Sequence, residues 1–200
     1  MNKTVLITGS TSGIGLGIAH QFAKEGYNIM FHGLEENGLD IAKKVGNKYQ
    51  VQVAFSNANL LQSAAVENLV YETIRNFGAL HVLINNAGIQ FVAPIEEFPN
   101  SKYEAIIALN MNAVFYASKA VWKQMKEQQF GRIINVSSVH GLRASEFKSA
   151  YVTAKHGVIG LTKVLALEGA PFNITCNAIC PGYVKTPLVE GQIKDQALAH

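Results

Sequence analysis

The chain is poor in charge. Only 16% of its 200 residues are Asp, Glu, Lys or Arg, and the net charge is +3. The positive residues are scattered. Lys43-Lys44 and the pair Lys123 and Lys126 read as solvated helix faces. That excludes the basic stripe a nucleic-acid binder needs. Cysteine is scarce, at Cys176 and Cys180 only. Two thiols this close give neither a disulfide scaffold nor a metal set, so both are expected as small apolar residues near a strand end, and no metal is expected. No apolar run reaches the roughly 20 residues a bilayer span requires. Met1-Asn2-Lys3-Thr4 passes directly into Val5-Leu6-Ile7, which leaves no room for a secretory signal. A cytoplasmic chain without membrane or nucleic-acid partners is therefore expected.

What is present is apolar and periodic. Hydrophobic residues make up 48% of the chain, enough for one sizeable core. Short β-rich runs at residues 5–8, 28–31, 51–55, 82–85, 133–136 and 174–179 alternate with helical patterns at 13–25, 36–45, 64–77, 102–128 and 150–167. Strands apolar on both faces and separated by helices predict a parallel sheet covered on both sides. Right-handed crossovers then favour a doubly wound, Rossmann-like α/β sheet, as one domain over residues 1–200.

The first strand runs into Gly9-Ser10-Thr11-Ser12-Gly13-Ile14-Gly15. A strand, a glycine-rich turn and a helix start make an anion site, because free N–H groups and the positive helix end face the ligand and missing Cβ atoms permit close approach. The spacing is G-x3-G-x-G. Further along, Tyr151 and Lys155 lie four apart, on one face of a helix. Taken alone they fit a helix-surface pair. With the turn and Ser138 present, they read as an acid/base: a neighbouring ammonium pulls a phenol, ordinarily near ~10, toward the working range. Ser138 alone fits a turn cap, and Asn110 sits where helices disfavour asparagine.

These motifs resemble the short-chain dehydrogenase/reductase family. The glycine turn, Asn85-Asn86-Ala87-Gly88, Asn110, Asn135-Val136-Ser137-Ser138, Tyr151-Val152-Thr153-Ala154-Lys155 and Pro181-Gly182 occur in the family's order over essentially the whole chain. The resemblance implies an oxidoreductase with Asn110, Ser138, Tyr151 and Lys155 as its catalytic set. Ser138 would hold the substrate oxygen, and Asn110 a water linking Lys155 to solvent. It implies a nicotinamide cofactor against Gly9, Thr11, Ser12, Gly13, Ile14, Gly15, Leu34, Asn59, Leu60, Asn86, Ala87, Gly88, Tyr151, Lys155, Pro181, Gly182 and Val184. After the second strand, Phe31-His32-Gly33-Leu34-Glu35-Glu36 holds no arginine or lysine for a 2′-phosphate, and its glutamates would repel one, so NAD is expected over NADP. The aspartate usual in NAD-dependent members is also absent. His32 fits either an adenosine contact or a structural role.

Stretches 9–19, 85–90, 130–142, 148–162 and 177–193 resemble the members that oxidise (R)-3-hydroxybutyrate to acetoacetate. In those, side chains matching Gln90, His140, Lys148 and Gln192 surround the substrate carboxylate, with Ser138 and Tyr151 on its alcohol. An ammonium, an imidazole and two amides offer several donors to one anion. Each alone fits an ordinary surface or loop role. Tyr183 stands where tryptophan is expected. The rival readings are an NADPH-dependent 3-oxoacyl-carrier-protein reductase and an inactive nucleotide-binding chain. A homotetramer is implied by resemblance. The chain stops short of the family's usual last helix and edge strand, so weak cofactor binding and slow turnover are expected.

Overall fold

The computed structural model describes residues 2–186. Six strands alternate with helices: β1 (Thr4–Ile7), α1 (Gly13–Lys24), β2 (Asn28–His32), α2 (Gly38–Tyr49), β3 (Val53–Ser56), α3 (Ser63–Phe77), β4 (Val82–Asn85), α4 (Asn100–Ile107), α5 (Ala113–Glu127), β5 (Gly131–Val136), α6 (Ser149–Gly169) and β6 (Ile174–Ile179). All pairings are parallel, in the order β3-β2-β1-β4-β5-β6. This is the doubly wound sheet expected from the alternation.

Every residue of β1, β2 and β4 is buried, which is why these strands read as continuous apolar runs. Alternate side chains feed two cores. Leu6, Met30, Leu83 and Ile133 pack with Leu69, Val70, Val121 and Met125 of α3 and α5. Val5, Ile7, Ile29 and Phe31 pack on the opposite face with Ala19, Ala23, Ala42 and Val45 of α1 and α2. Period-two alternation splits each strand between the two layers. Cys176 joins the first core and Cys180 is half-buried beyond β6; neither forms a disulfide. Burial pushes the Cys176 thiol up to about 11, outweighing hydrogen bonds from Asn135 and Thr162.

One expectation needs correction. Residues 102–128 do not form a single helix. A π-helical segment, Ala108–Asn112, separates α4 from α5, and the Ala113 N–H reaches back to the Ala108 carbonyl. Such bulges insert one residue and re-aim side chains. Here the one re-aimed is Asn110, which is buried and bonded outside its own helix. Among the described residues no helix is long and apolar enough to cross a membrane, and no group of three His, Cys, Asp or Glu side chains could hold a metal.

Candidate active site

The sheet order reverses between β1 and β4, where a crevice opens at the carboxyl ends of the strands. A cleft of about 650 Å³ occupies that position. Its walls include Gly9, Thr11, Ser12, Gly13 and Ile14 of the glycine turn, Leu34, Asn59, Leu60, Asn86, Ala87 and Gly88, then Ser138, Tyr151, Lys155, Pro181, Gly182 and Val184. All are residues the sequence marked. Gly15 is the exception: it lies buried beneath the turn, where a Cβ would collide with the Gly9 carbonyl oxygen and with Asn86 Nδ2. It brings helix α1 close to the strand rather than lining the cleft. No side-chain oxygen caps α1 and no acidic residue occupies its first turn, so the helix itself supplies no group that competes with an anion at its N-terminus. A dinucleotide fits this cleft by its volume, the glycines at 9 and 13 in its wall and its position at the switch point.

Asn86 is spent on the turn itself. Its Nδ2 donates to the Thr8 and Gly9 carbonyls, each at 2.9 Å, while the Thr8 hydroxyl accepts from the Asn86 and Ala87 N–H groups. The Asn59 side-chain oxygen accepts from the Leu61 N–H at 3.1 Å.

His32 also has a structural task. Its Nδ1 accepts from the Gly9 N–H at 3.1 Å and its Nε2 meets the Ala58 carbonyl at 2.9 Å. One ring therefore joins the turns after β1 and β3 in the neutral, Nε2-protonated form. Burial holds its pKa below the usual 6.5, although the Ala58 hydrogen bond and Glu35 act against burial. Because the folded state binds this proton less well than the unfolded chain, stability falls as pH drops below about 6.5. Melting curves from pH 7.5 down to 5 should show that loss, and a His32→Gln variant should flatten it. Equal slopes for both proteins would remove His32 as the cause.

In the sequence Glu35 shows only as a charge just after the second strand. The structure gives it an address. It lines the cleft and accepts from the Thr11 hydroxyl across the turn. A Cβ at Gly33 would strike both groups, so glycine there makes the contact possible. Burial pushes the Glu35 carboxyl up, but hydrogen bonds from Thr11 and from the Glu35 and Leu34 backbone outweigh it and hold the group below its usual range. It is the cleft's one acidic wall residue among those described, and Lys155 and His32 are its basic ones.

At the other end, Ser138 Oγ accepts from the His140 N–H at 3.1 Å and hydrogen-bonds Tyr151. Ser137, unmarked in the sequence reading beyond its motif, donates to the Lys155 main-chain carbonyl at 3.0 Å and ties β5 to α6. Lys155 is buried, and its Nζ donates to the Val136 carbonyl at 2.7 Å, 5.5 Å from the centre of the Tyr151 ring. Burial lowers its ammonium to about 8, with Cys180 acting the other way. The expected lowering of Tyr151 by Lys155 is not found. Burial raises the phenol above its ordinary 10.0, and only the Ser138 hydrogen bond opposes that. The physical reason is that Lys155 is itself desolvated and aimed at a carbonyl. Asn110 gives both ends of its amide to one residue: Ile89 N–H donates to its Oδ1 at 2.9 Å and its Nδ2 donates to the Ile89 carbonyl at 2.8 Å.

Lys148 is buried, 4% exposed, with its Nζ 3.5 Å from His140 Nε2. The His140 ring stands edge-on to Tyr151 at 6.2 Å, and Lys148 Nζ lies 5.7 Å from the exposed Tyr183 ring. Burial, then Lys148, keep the His140 pKa low. A neutral ring accepting from Lys148 at Nε2 carries its proton on Nδ1, and that buried Nδ1 has no partner among the described residues. Nor, among them, has the buried Gln90 Nε2. Gln192 lies outside the described residues.

The short chain dehydrogenase family profile matches residues 3–197. The chain is 47% identical over 195 residues to D-beta-hydroxybutyrate dehydrogenase of Cupriavidus necator, covering 98% of this chain and 76% of that one. It is 46% identical to the enzyme of the same name from Rhizobium meliloti, covering 98% and 77%. The crystal structure of levodione reductase superposes with a TM-score of 0.92 at 35% identity, over 97% of this chain and 76% of that one. With its parallel sheet, glycine turn and Ser138–Tyr151 pairing, the chain belongs to the short-chain dehydrogenase family of nicotinamide-dependent oxidoreductases.

Proposed function

We propose that this chain oxidises (R)-3-hydroxybutyrate to acetoacetate with NAD. The observation that carries the reading is the Lys148–His140 pair beside Tyr151, with a further buried donor, Gln90 Nε2, on the loop whose Ala93 N–H is bonded to the Phe147 carbonyl next to Lys148. Lys148 Nζ, His140 Nδ1–H and Gln90 Nε2 are all donors, and the last two have no partner among the described residues. Leaving buried donors unmatched is costly. One carboxylate, with about four lone-pair sites, would satisfy all three. The names of the two hydroxybutyrate dehydrogenases above support the same substrate.

The roles follow from position. Ser138 hydrogen-bonds the substrate oxygen. Tyr151 takes the alcohol proton during oxidation and returns it during reduction. Lys155 Nζ lies 5.5 Å from the centre of the Tyr151 ring, and its ammonium favours the phenolate once it turns from the Val136 carbonyl. A bound nicotinamide supplies the hydride acceptor. The Glu35 carboxylate on the cleft wall, held below its usual range, supports NAD: a 2′-phosphate placed beside it would meet like charge.

An absorbance assay of NADH formation tests this directly. Turnover is expected with (R)-3-hydroxybutyrate and NAD, and far less with NADP. Lys148→Met should raise KM for the hydroxy acid by roughly 10–100-fold, the worth of a hydrogen bond to a charged group, with NADH affinity kept. An unchanged KM, or preference for NADPH and a 3-oxoacyl thioester, would replace the reading.

A further inference from the structure

Gln90 sits on a loop fastened at two points. On one side is the double hydrogen bond between Ile89 and the Asn110 amide, at 2.9 and 2.8 Å. Asn110 reaches that loop because the π segment turns it out of the α4–α5 helical register. On the other side, the Ala93 N–H donates to the Phe147 carbonyl at 3.0 Å. Phe147 has a φ of +62°, a conformation bulky residues rarely adopt, and it immediately precedes the buried Lys148. The loop bearing Gln90 and the segment bearing Lys148 are therefore joined through main chain. Between the two fastenings lies a buried amide donor without an acceptor among the described residues, Gln90 Nε2.

We infer that Asn110 and Phe147 are positioning residues for the substrate carboxylate, acting together as a bracket that presents the Gln90 amide alongside Lys148 and His140. The inference rests on the carboxylate reading above. It assigns the Asn110 side chain to substrate recognition through Ile89. It also explains why a strained backbone is tolerated at Phe147: strain is retained where the surrounding structure over-determines it, and such sites cluster at ligand clamps.

The test compares (R)-3-hydroxybutyrate with its methyl ester, which keeps the alcohol and loses the charge. The unmodified chain should prefer the acid in kcat/KM. Asn110→Ala is expected to cut that preference by about tenfold through a higher KM for the acid, the scale of one charge-assisted hydrogen bond, with the Kd for NADH shifted by less than about twofold. Phe147→Val, which disfavours positive φ, should move the preference the same way. Phe147→Gly, which adopts it freely, should keep the preference. An unchanged acid preference in both Asn110→Ala and Phe147→Val, whatever happens to kcat, overturns the bracket. If Asn110→Ala fails to fold, Phe147→Val decides alone: an unchanged preference overturns the inference and a reduced one supports it. An unmodified chain that turns over the ester as well as the acid would overturn the carboxylate reading, and the bracket with it.

Discussion

Replacing Tyr151 with phenylalanine is expected to lower kcat by roughly 10³-fold, within the range a positioned acid/base contributes. The change removes one oxygen and leaves the ring, so its edge-on contact with His140 survives. The glycine turn, Asn86 and Lys155 are untouched, so NADH should still bind with nearly its original Kd. The expected signature is a kcat collapse with cofactor affinity intact, read by steady-state kinetics and NADH fluorescence. The pH dependence has a definite sign. Burial holds the phenol protonated beyond its ordinary 10.0 in the cofactor-free chain. Reduction needs the protonated form and oxidation the ionised one, so oxidation should accelerate as pH rises and reduction should not. Activity within about tenfold of the parent would remove Tyr151 from the proton transfer.

Lys155→Met should abolish turnover and yet stabilise the cofactor-free chain at neutral pH. Lys155 is 4% exposed with a single carbonyl as its acceptor. Burial lowers its ammonium from 10.5 to about 8. The unfolded chain therefore holds this proton more tightly than the folded one. The sign follows: the lysine costs stability at and below pH 8, and the cost fades as pH rises toward 10.5. At about 1.4 kcal/mol per pH unit the cost approaches roughly 3 kcal/mol. Methionine of similar length fills the space but leaves the Val136 carbonyl without its donor, which returns about 1 kcal/mol. A net gain of about 1–2 kcal/mol should appear as a higher Tm at pH 7 that shrinks by pH 10. A lower Tm for Lys155→Met at pH 7 would mean the ammonium is better solvated than its surroundings imply.

Much of this architecture is written in local pattern. The runs at β1, β2 and β4 are apolar on both faces because helices cover both sides, so their class followed from composition alone. The glycine turn was legible because its spacing reflects a steric demand: a Cβ at Gly15 has nowhere to go. The edge strands differ in this: β6 runs over the expected 174–179 and alternates buried and exposed positions, as a strand covered mainly on one face does, whereas β3 starts at Val53 rather than at residue 51. The break in the 102–128 helix escaped periodicity, because a π segment shifts the phase without changing composition. The poor helix former Asn110 marked the place but not the cause. His32 and Glu35 were visible as residues, while their partners, Gly9, Ala58 and Thr11, lie on other turns.

The sequence by itself determined which chemistry is present: a sheet of alternating units, an anion-binding turn, a phenol four residues from an ammonium, and a lysine and imidazole nearby. These depend on residue type and on spacing along one element, which the chain encodes directly. Only the tertiary structure decided how the groups are charged and aimed. Lys155 sheds much of its proton affinity because β5 and α6 bury it, Tyr151 is raised rather than lowered, and Asn110 bonds Ile89. Desolvation and hydrogen bonding act over a few ångströms between segments far apart in the chain. No local pattern carries that distance.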